Sequence, residues 1–267
     1  MPAGGGGRPR ISVVVPAYQE AGVIGPTLER LRGGLAGLAG VGGAAAGGLE
    51  LVVADDGSTD STAEEAAAAG ADRVLRLAHR GKGAAVRSGI LAATGRTVAF
   101  CDADLAYGPD QVLKVTEAVE SGFDVAVGSR RHVDAVTLVR AGRLREVSGR
   151  VFSILTDTVL VGSRHDTQCG IKAFSDTAAS QIFSRARIDG FAFDVEIFVL
   201  VDRLGLSLTD VPVELTNSRR SSVRVIPHSL GMLRDVARVR WGLASGRYSI
   251  GGRRAGPARE SGPGAFR

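Results

Sequence analysis

Short β-branched runs alternate with helical segments along the first half of the chain, and this alternation most constrains its fold. The runs are Ile11–Val15, Leu49–Ala54, Arg73–Leu77, Thr97–Cys101 and Asp124–Val127. Between them lie helical patterns over about Ala21–Leu38, Ser61–Ala69, Lys82–Thr94 and Asp110–Ser121. Strands separated by helices of this length predict βαβ units, because parallel neighbours need a long crossover and the helix supplies it. The expected fold is α/β: a Rossmann-like, mostly parallel sheet flanked by helices.

Beyond residue 130 the pattern changes. Arg140–Val161 and Pro227–Leu243 read as amphipathic helices, Ala192–Leu204 as an apolar helix. Gly170–Phe174 and Ser207–Leu215 read as strands. Gly33–Gly48 is Gly/Ala-rich and reads as a flexible connection. Residues 1–9 and 249–267 read as disordered tails, leaving one domain over about 10–248.

Composition removes several classes of function. The apolar fraction of 44% excludes wholesale disorder. No apolar stretch approaches the ~18 residues that span a bilayer, and no apolar run near Met1 suggests a secretory leader. Two cysteines, Cys101 and Cys169, are too few for a disulfide framework or a thiolate zinc cluster. The four histidines stand far apart, so a histidine metal site is not expected. The formal charge of +5 asks for an anionic partner. Aromatics at 5% weaken stacking-based recognition of nucleic acid, which is excluded as a partner.

Open α/β sheets bind ligands beyond the carboxyl ends of their strands. Those ends here carry Pro16, Ala17, Tyr18 and Glu20, then Asp55 and Asp56, then Asp102 and Asp104, then Arg130. Turn chemistry explains any one Asp-Gly-Ser; it does poorly for every strand end at once. Asp102-Ala103-Asp104 presents two carboxylates that can share a hard divalent ion, Mg2+ or Mn2+, while leaving positions open for phosphate oxygens. Gly81-Lys82-Gly83 opens a helix with one cation, which suits a diphosphate. No Gly-x-x-x-x-Gly-Lys-Ser/Thr loop is present, so a P-loop NTPase is excluded.

Four segments taken in order carry a resemblance. They are Val13-Val14-Val15-Pro16-Ala17-Tyr18-Gln19-Glu20, Val53-Ala54-Asp55-Asp56-Gly57-Ser58-Thr59-Asp60, Gly81-Lys82-Gly83 and Asp102-Ala103-Asp104. Together they resemble a family 2 glycosyltransferase of the GT-A fold. Gly128-Ser129-Arg130, Asp166-Thr167-Gln168-Cys169-Gly170-Ile171-Lys172 and Phe193-Asp194-Val195-Glu196 are similar to its polyprenyl-phosphate branch, and within that to the dolichyl-phosphate β-glucosyltransferase subgroup.

The resemblance implies roles. Pro16, Ala17, Tyr18, Glu20, Asp55 and Asp56 would hold the nucleotide, with Lys82 near its diphosphate. Asp102 would hold nucleotide and metal, with Asp104 the direct metal ligand. Gln168 and Asp194 would face the sugar at the transfer site. Arg130, Arg145 and Arg150 are the candidates for the acceptor phosphate. Two departures stand out: His79-Arg80 replaces the usual Asn near the Gly-Lys-Gly loop, and Ala106 stands where mannosyl-transferring relatives carry a Gln. The second favours a glucosyl donor, since Ala106 cannot coordinate metal.

The implied activity is inverting transfer of glucose from UDP-glucose to a polyprenyl or dolichyl phosphate. The alternatives are a hydroxyl acceptor, GDP-mannose as donor, or a nucleotide-sugar-binding partner without turnover. About 10–130 would be the nucleotide-binding half and about 131–248 the acceptor half. A lipid acceptor must be met at a bilayer, so the two basic amphipathic helices are expected to lie on an anionic membrane surface, at the inner face of the cell membrane.

Overall fold

A computed structural model describes residues 8–36, 48–130, 169–214, 225–245 and 248. Seven strands are described: β1 (Ile11–Ala17), β2 (Leu49–Asp55), β3 (Arg73–Arg76), β4 (Thr97–Cys101), β5 (Val125–Ser129), β6 (Ile171–Ser175) and β7 (Leu208–Pro212). The helices are α1 (Ile24–Gly34), α2 (Thr62–Ala68), α3 (Lys82–Ala92), α4 (Pro109–Glu120), α5 (Asp176–Phe183), α6 (Phe193–Leu204) and α7 (Val225–Ala244). The expected elements that fall on described residues have counterparts close to their expected bounds. Only α5 has no counterpart in the sequence reading; it follows β6 directly, with Ser175 as its N-cap accepting the Ala178 N–H.

One sheet holds all seven strands in the order β3-β2-β1-β4-β6-β5-β7. Every pair is parallel except those of β6, which runs antiparallel to β4 and β5. That reversal matters for the site. An antiparallel strand begins at the edge where its parallel neighbours end, so Cys169 and Gly170 reach the carboxyl edge and Lys172 enters the sheet from it, opposite Phe100 and Val127.

The strands are apolar on both faces, as a sheet covered by helices requires. Val14, Val52, Phe100, Val127 and Phe174 pack with α3, α5 and α6 on one face. Val13, Val15, Leu51, Val53, Ala99 and Ile171 pack with α1 and α4 on the other. The strand order reverses between β1 and β4, with β2 and β3 to one side and the later strands to the other, and at such a reversal α/β sheets open a crevice.

Two expectations are revised. Arg8 lies in the segment read as a disordered tail, yet its guanidinium donates to Thr94 O, Gly95 O and Asp176 Oδ2. In the sequence, Val236, Ala237 and Trp241 read as one apolar set of α7 against Arg234, Arg238 and Arg240, yet Val236 is buried while Trp241 is 62% exposed, so the two do not share one face. Val236 and Val239 join the core under α6, and Trp241 shares its exposed face with Arg234, Ala237 and Arg238. Arg140–Val161 lies outside the described residues, as do the segments 1–7 and 249–267. No described helix is long and apolar enough to cross a membrane.

Candidate active site

The crevice is walled by the ends of β1, β2 and β4, the N-terminus of α3 and the start of β6. Asp56, just past β2, is buried. Its Oδ1 accepts the Arg80 N–H at 2.9 Å and its Oδ2 the Gly81 N–H at 2.8 Å. His79 Nδ1 lies 2.9 Å from the same Oδ2. The direct contacts of this carboxylate are therefore with the 79–81 loop. Asp55 likewise serves its own turn, accepting the Ser58 N–H at 3.1 Å. Gln19 ties the β1 loop to the β2 loop through Ser58, Thr59 and Asp60.

Pro16 and Ala17 are buried at the end of β1, and Tyr18 emerges beside them. Its ring stacks on His79, with centroids 4.2 Å apart and planes 20° from parallel. Both rings are substantially exposed. They form an aromatic ledge at the mouth of the crevice.

The glycines of Gly81-Lys82-Gly83 have a packing reason. Gly81 sits at φ 123°, open to glycine alone, and a Cβ there would stand 2.7 Å from Asp189 O. A Cβ on Gly83 would meet Ile188 O at 2.5 Å. The 188–190 segment thus lies directly on the start of α3. Asp189 holds it there by pairing with Arg80 at 2.7 Å and Arg87 at 2.8 Å. Glu196, fully buried, accepts the Arg187 and Ile188 N–H groups and the Tyr248 hydroxyl.

Lys82 is the first residue of α3, where the helix macrodipole disfavours a cation and favours an anion. Its Nζ meets Asp102 Oδ1 at 2.5 Å. Burial pulls this ammonium down, but Asp102, Asp194 and Asp104 outweigh it, and its proton is held more tightly than usual. Asp102 begins a tight turn in which its carbonyl accepts the Leu105 N–H at 3.0 Å. Leu105 takes a left-handed φ of 49°, and its buried side chain anchors the strained turn. Asp104 Oδ1 accepts the Ala106 N–H at 3.1 Å.

Burial pushes the Glu20 carboxyl up, and Asp104 and then Asp102 push it further. The crevice therefore has a negative end. Among the described residues no three His, Cys, Asp or Glu side chains gather to enclose a metal ion. Two carboxylates on one turn, with phosphate oxygens and water to complete the shell, suit Mg2+ or Mn2+. Asp102 and Asp104 are the residues that would hold it.

Asp194 stands in the first turn of α6, with Oδ1 2.7 Å from Lys172 Nζ. Burial raises its carboxyl above the ordinary range; Lys172 and Lys82 pull it partly back. Lys172 is fully buried in mid-sheet, donates to Cys169 O at 2.9 Å, and lies over the rings of Phe100 and Phe198. Gly170 gives Asp102 its room: a Cβ there would collide with the Asp102 carboxylate.

The structure thus gathers Tyr18, Glu20, Lys82, Asp102, Asp104 and Asp194 about one crevice. Arg130 is exposed at the end of β5, separated from β4 by β6. Gln168, Arg145 and Arg150 lie outside the described residues. Four working residues had no assigned role in the sequence reading: Lys172, His79, Asp189 and Glu196. One signal pointed to Lys172. Of 33 basic residues only Lys82, Lys114 and Lys172 are lysines, and Lys172 interrupts an apolar strand.

Comparison with known proteins identifies the family and the fold. Residues 12–183 match the family model described as glycosyl transferase family 2. The chain is 35% identical over 243 residues to a dolichyl-phosphate beta-glucosyltransferase of Drosophila melanogaster, covering 85% of this chain and 73% of that one. It is 33% identical over 213 residues to one from Dictyostelium discoideum, covering 75% of this chain and 65% of that protein. Among solved structures, glucosyl-3-phosphoglycerate synthase from Mycobacterium tuberculosis, in complex with Mn2+, uridine-diphosphate and phosphoglyceric acid, superposes with a TM-score of 0.63. The identity is 25%, covering 92% of this chain and 80% of that one. The fold is GT-A, and the chain belongs to glycosyl transferase family 2.

Proposed function

We propose that this protein transfers glucose, with inversion, from UDP-glucose to a polyprenyl phosphate. The observation that carries the reading is the Lys82–Asp102 pair at the N-terminus of α3. A cation there, at the positive end of a helix, is built to take a diphosphate in place of its carboxylate partner. The names of the relatives from Drosophila and Dictyostelium support the lipid phosphate acceptor and the glucosyl group. The Mycobacterium tuberculosis complex supports a uridine nucleotide, a divalent ion and a phosphorylated acceptor.

In this reading Tyr18 and His79 offer the base a stacking ledge, and Glu20 lines the ribose side. Lys82 stabilises the negative charge that gathers on the leaving diphosphate. Asp102 and Asp104 would hold Mg2+ or Mn2+, which when bound supplies further positive charge at the same phosphates. Asp194 faces the sugar, whose anomeric carbon becomes positive as its bond to the diphosphate breaks. An oxygen of the acceptor phosphate brings the electron pair for the new bond, so no proton need be removed. Arg130, Arg145 and Arg150 are proposed for the acceptor phosphate, because a guanidinium fork matches phosphate geometry. Residues 10–130 then act as the nucleotide half and 131–248 as the acceptor half. The exposed Arg234, Arg238 and Trp241 of α7 suit an anionic membrane surface.

The test is an incubation of the purified chain with radiolabelled UDP-glucose, Mg2+ or Mn2+, and a polyprenyl phosphate in detergent. Label is expected in the organic phase. Label arriving there only from GDP-mannose overturns the donor. Label appearing only on a water-soluble hydroxyl acceptor overturns the lipid phosphate.

A further inference from the structure

Lys172 is the most deeply buried cation among the described residues, with no exposed surface at all. Its place follows from the reversal of β6. Lys172 stands opposite Phe100 of β4 and Val127 of β5, and points to the face covered by α6. There its Nζ donates to Asp194 Oδ1 at 2.7 Å and to Cys169 O at 2.9 Å. The rings of Phe100 and Phe198 close over it at 5.4 and 6.0 Å. A buried ammonium is costly unless it is paired and hydrogen-bonded. A well-packed apolar residue would fill the same volume, so the charge needs a reason beyond packing.

The partner supplies that reason. The Asp194 side chain keeps 14% exposure, so it faces the crevice while its other side is tied inward. Across the crevice stand Lys82 of α3 and Asp102 at the end of β4, both close enough to act on its charge. The crevice is therefore lined by two ion pairs, one at the diphosphate end and one rooted inside the sheet.

We propose that Lys172 is a positioning residue of the transfer site, holding the Asp194 carboxylate charged and in one orientation beside the Lys82–Asp102 pair. This rests on the reading of the crevice as a site of sugar transfer. A carboxylate so held faces positive charge developing on the sugar without having to reorganise as it forms. Lys172 itself never touches substrate.

The experiment compares the full-length protein with Lys172→Met, Asp194→Asn and the double variant. Transfer is followed across pH, and the Asp carboxyl carbons are followed by NMR, with Asp194 identified by its loss in Asp194→Asn. Lys172→Met is expected to lower kcat on the order of 10²-fold, to leave the donor KM nearly unchanged, and to move the Asp194 titration and the acid limb of kcat to higher pH. In the Asp194→Asn background the same change is expected to cost little more. An Asp194 midpoint identical with and without Lys172 overturns the proposal, as do additive losses in the double variant. Should Lys172→Met fail to fold, the double variant is expected to fold; a double variant that also fails overturns it. Wild-type protein inactive with every acceptor sinks the transfer reading alone, since the NMR titration reads the pair without turnover.

Discussion

Asp56 accepts the backbone N–H of Gly81 at 2.8 Å, and this bond makes one device of two sequence motifs. Asp56 of the Asp-Asp-Gly-Ser turn after β2 and Gly81 of the Gly-Lys-Gly start of α3 are 25 positions apart in the chain. Through Asp56 the first sets the position of the second, and so places Lys82 in the crevice.

Replacing Asp56 with Ala removes both acceptors at once. Each buried N–H left without a partner costs about 1–3 kcal/mol. The expected result is a melting temperature lower by several degrees, together with a raised KM for the nucleotide sugar and a smaller change in kcat. Thermal melts and a titration with the nucleoside diphosphate check both effects. A variant that melts like the wild type and binds nucleotide normally contradicts the positioning role.

The negative end of the crevice predicts a pH and metal dependence of stability. The Glu20 carboxyl is raised by burial, then by Asp104 and Asp102. A raised acid stabilises the folded state while protonated; that contribution is complete below the ordinary carboxylate range and is lost as pH rises through the folded value. Glu20→Gln is therefore expected to melt above the wild type at neutral pH, with the gap closing toward pH about 4. Mn2+ is expected to raise the wild-type melting temperature and to raise that of Asp104→Asn less. Equal metal responses in the two proteins argue against Asp104 as a ligand.

Neither thiol should be reactive in the native protein. Cys101 and Cys169 are both buried, and neither is in a disulfide. Burial pushes the Cys101 thiol far up, and Asp102 and Asp104 push it further. A thiolate is the reactive form, and here it is withheld. A disulfide reagent at pH about 8, near the free thiol's own value, is expected to label neither cysteine in minutes, and both after unfolding. Prompt labelling of native protein would show that the β4 end is open.

The exposed face of α7 predicts membrane binding that salt weakens. Arg234, Ala237, Arg238 and Trp241 lie on one side, while Val236 and Val239 are buried on the other. Each Arg near an anionic surface contributes about 1 kcal/mol. Changing Arg234 and Arg238 to Glu is expected to abolish co-sedimentation with anionic liposomes at low salt and to leave the melting temperature within a few degrees. Retained binding by this variant moves the attachment elsewhere on the chain.

The sequence by itself determined the α/β architecture and where its ligand edge lies. Short β-branched runs and helical segments are local patterns, so β1 to β5 and α1 to α4 were legible from neighbours a few residues apart. The same holds for the polar clusters at Tyr18, Asp55, Asp102 and Arg130, since each follows its strand directly. Only the tertiary structure decided what those side chains do. The antiparallel course of β6 brings Lys172 beneath Asp194, 22 positions away. The fold likewise lays Asp189 on α3, more than a hundred positions from Arg80 and Arg87. It also turns Val236 inward and Trp241 outward on one helix that reads as evenly amphipathic. These partners meet by strand order and helix packing. Side-chain chemistry states what a residue can bind, and only the path of the backbone states what it finds within reach.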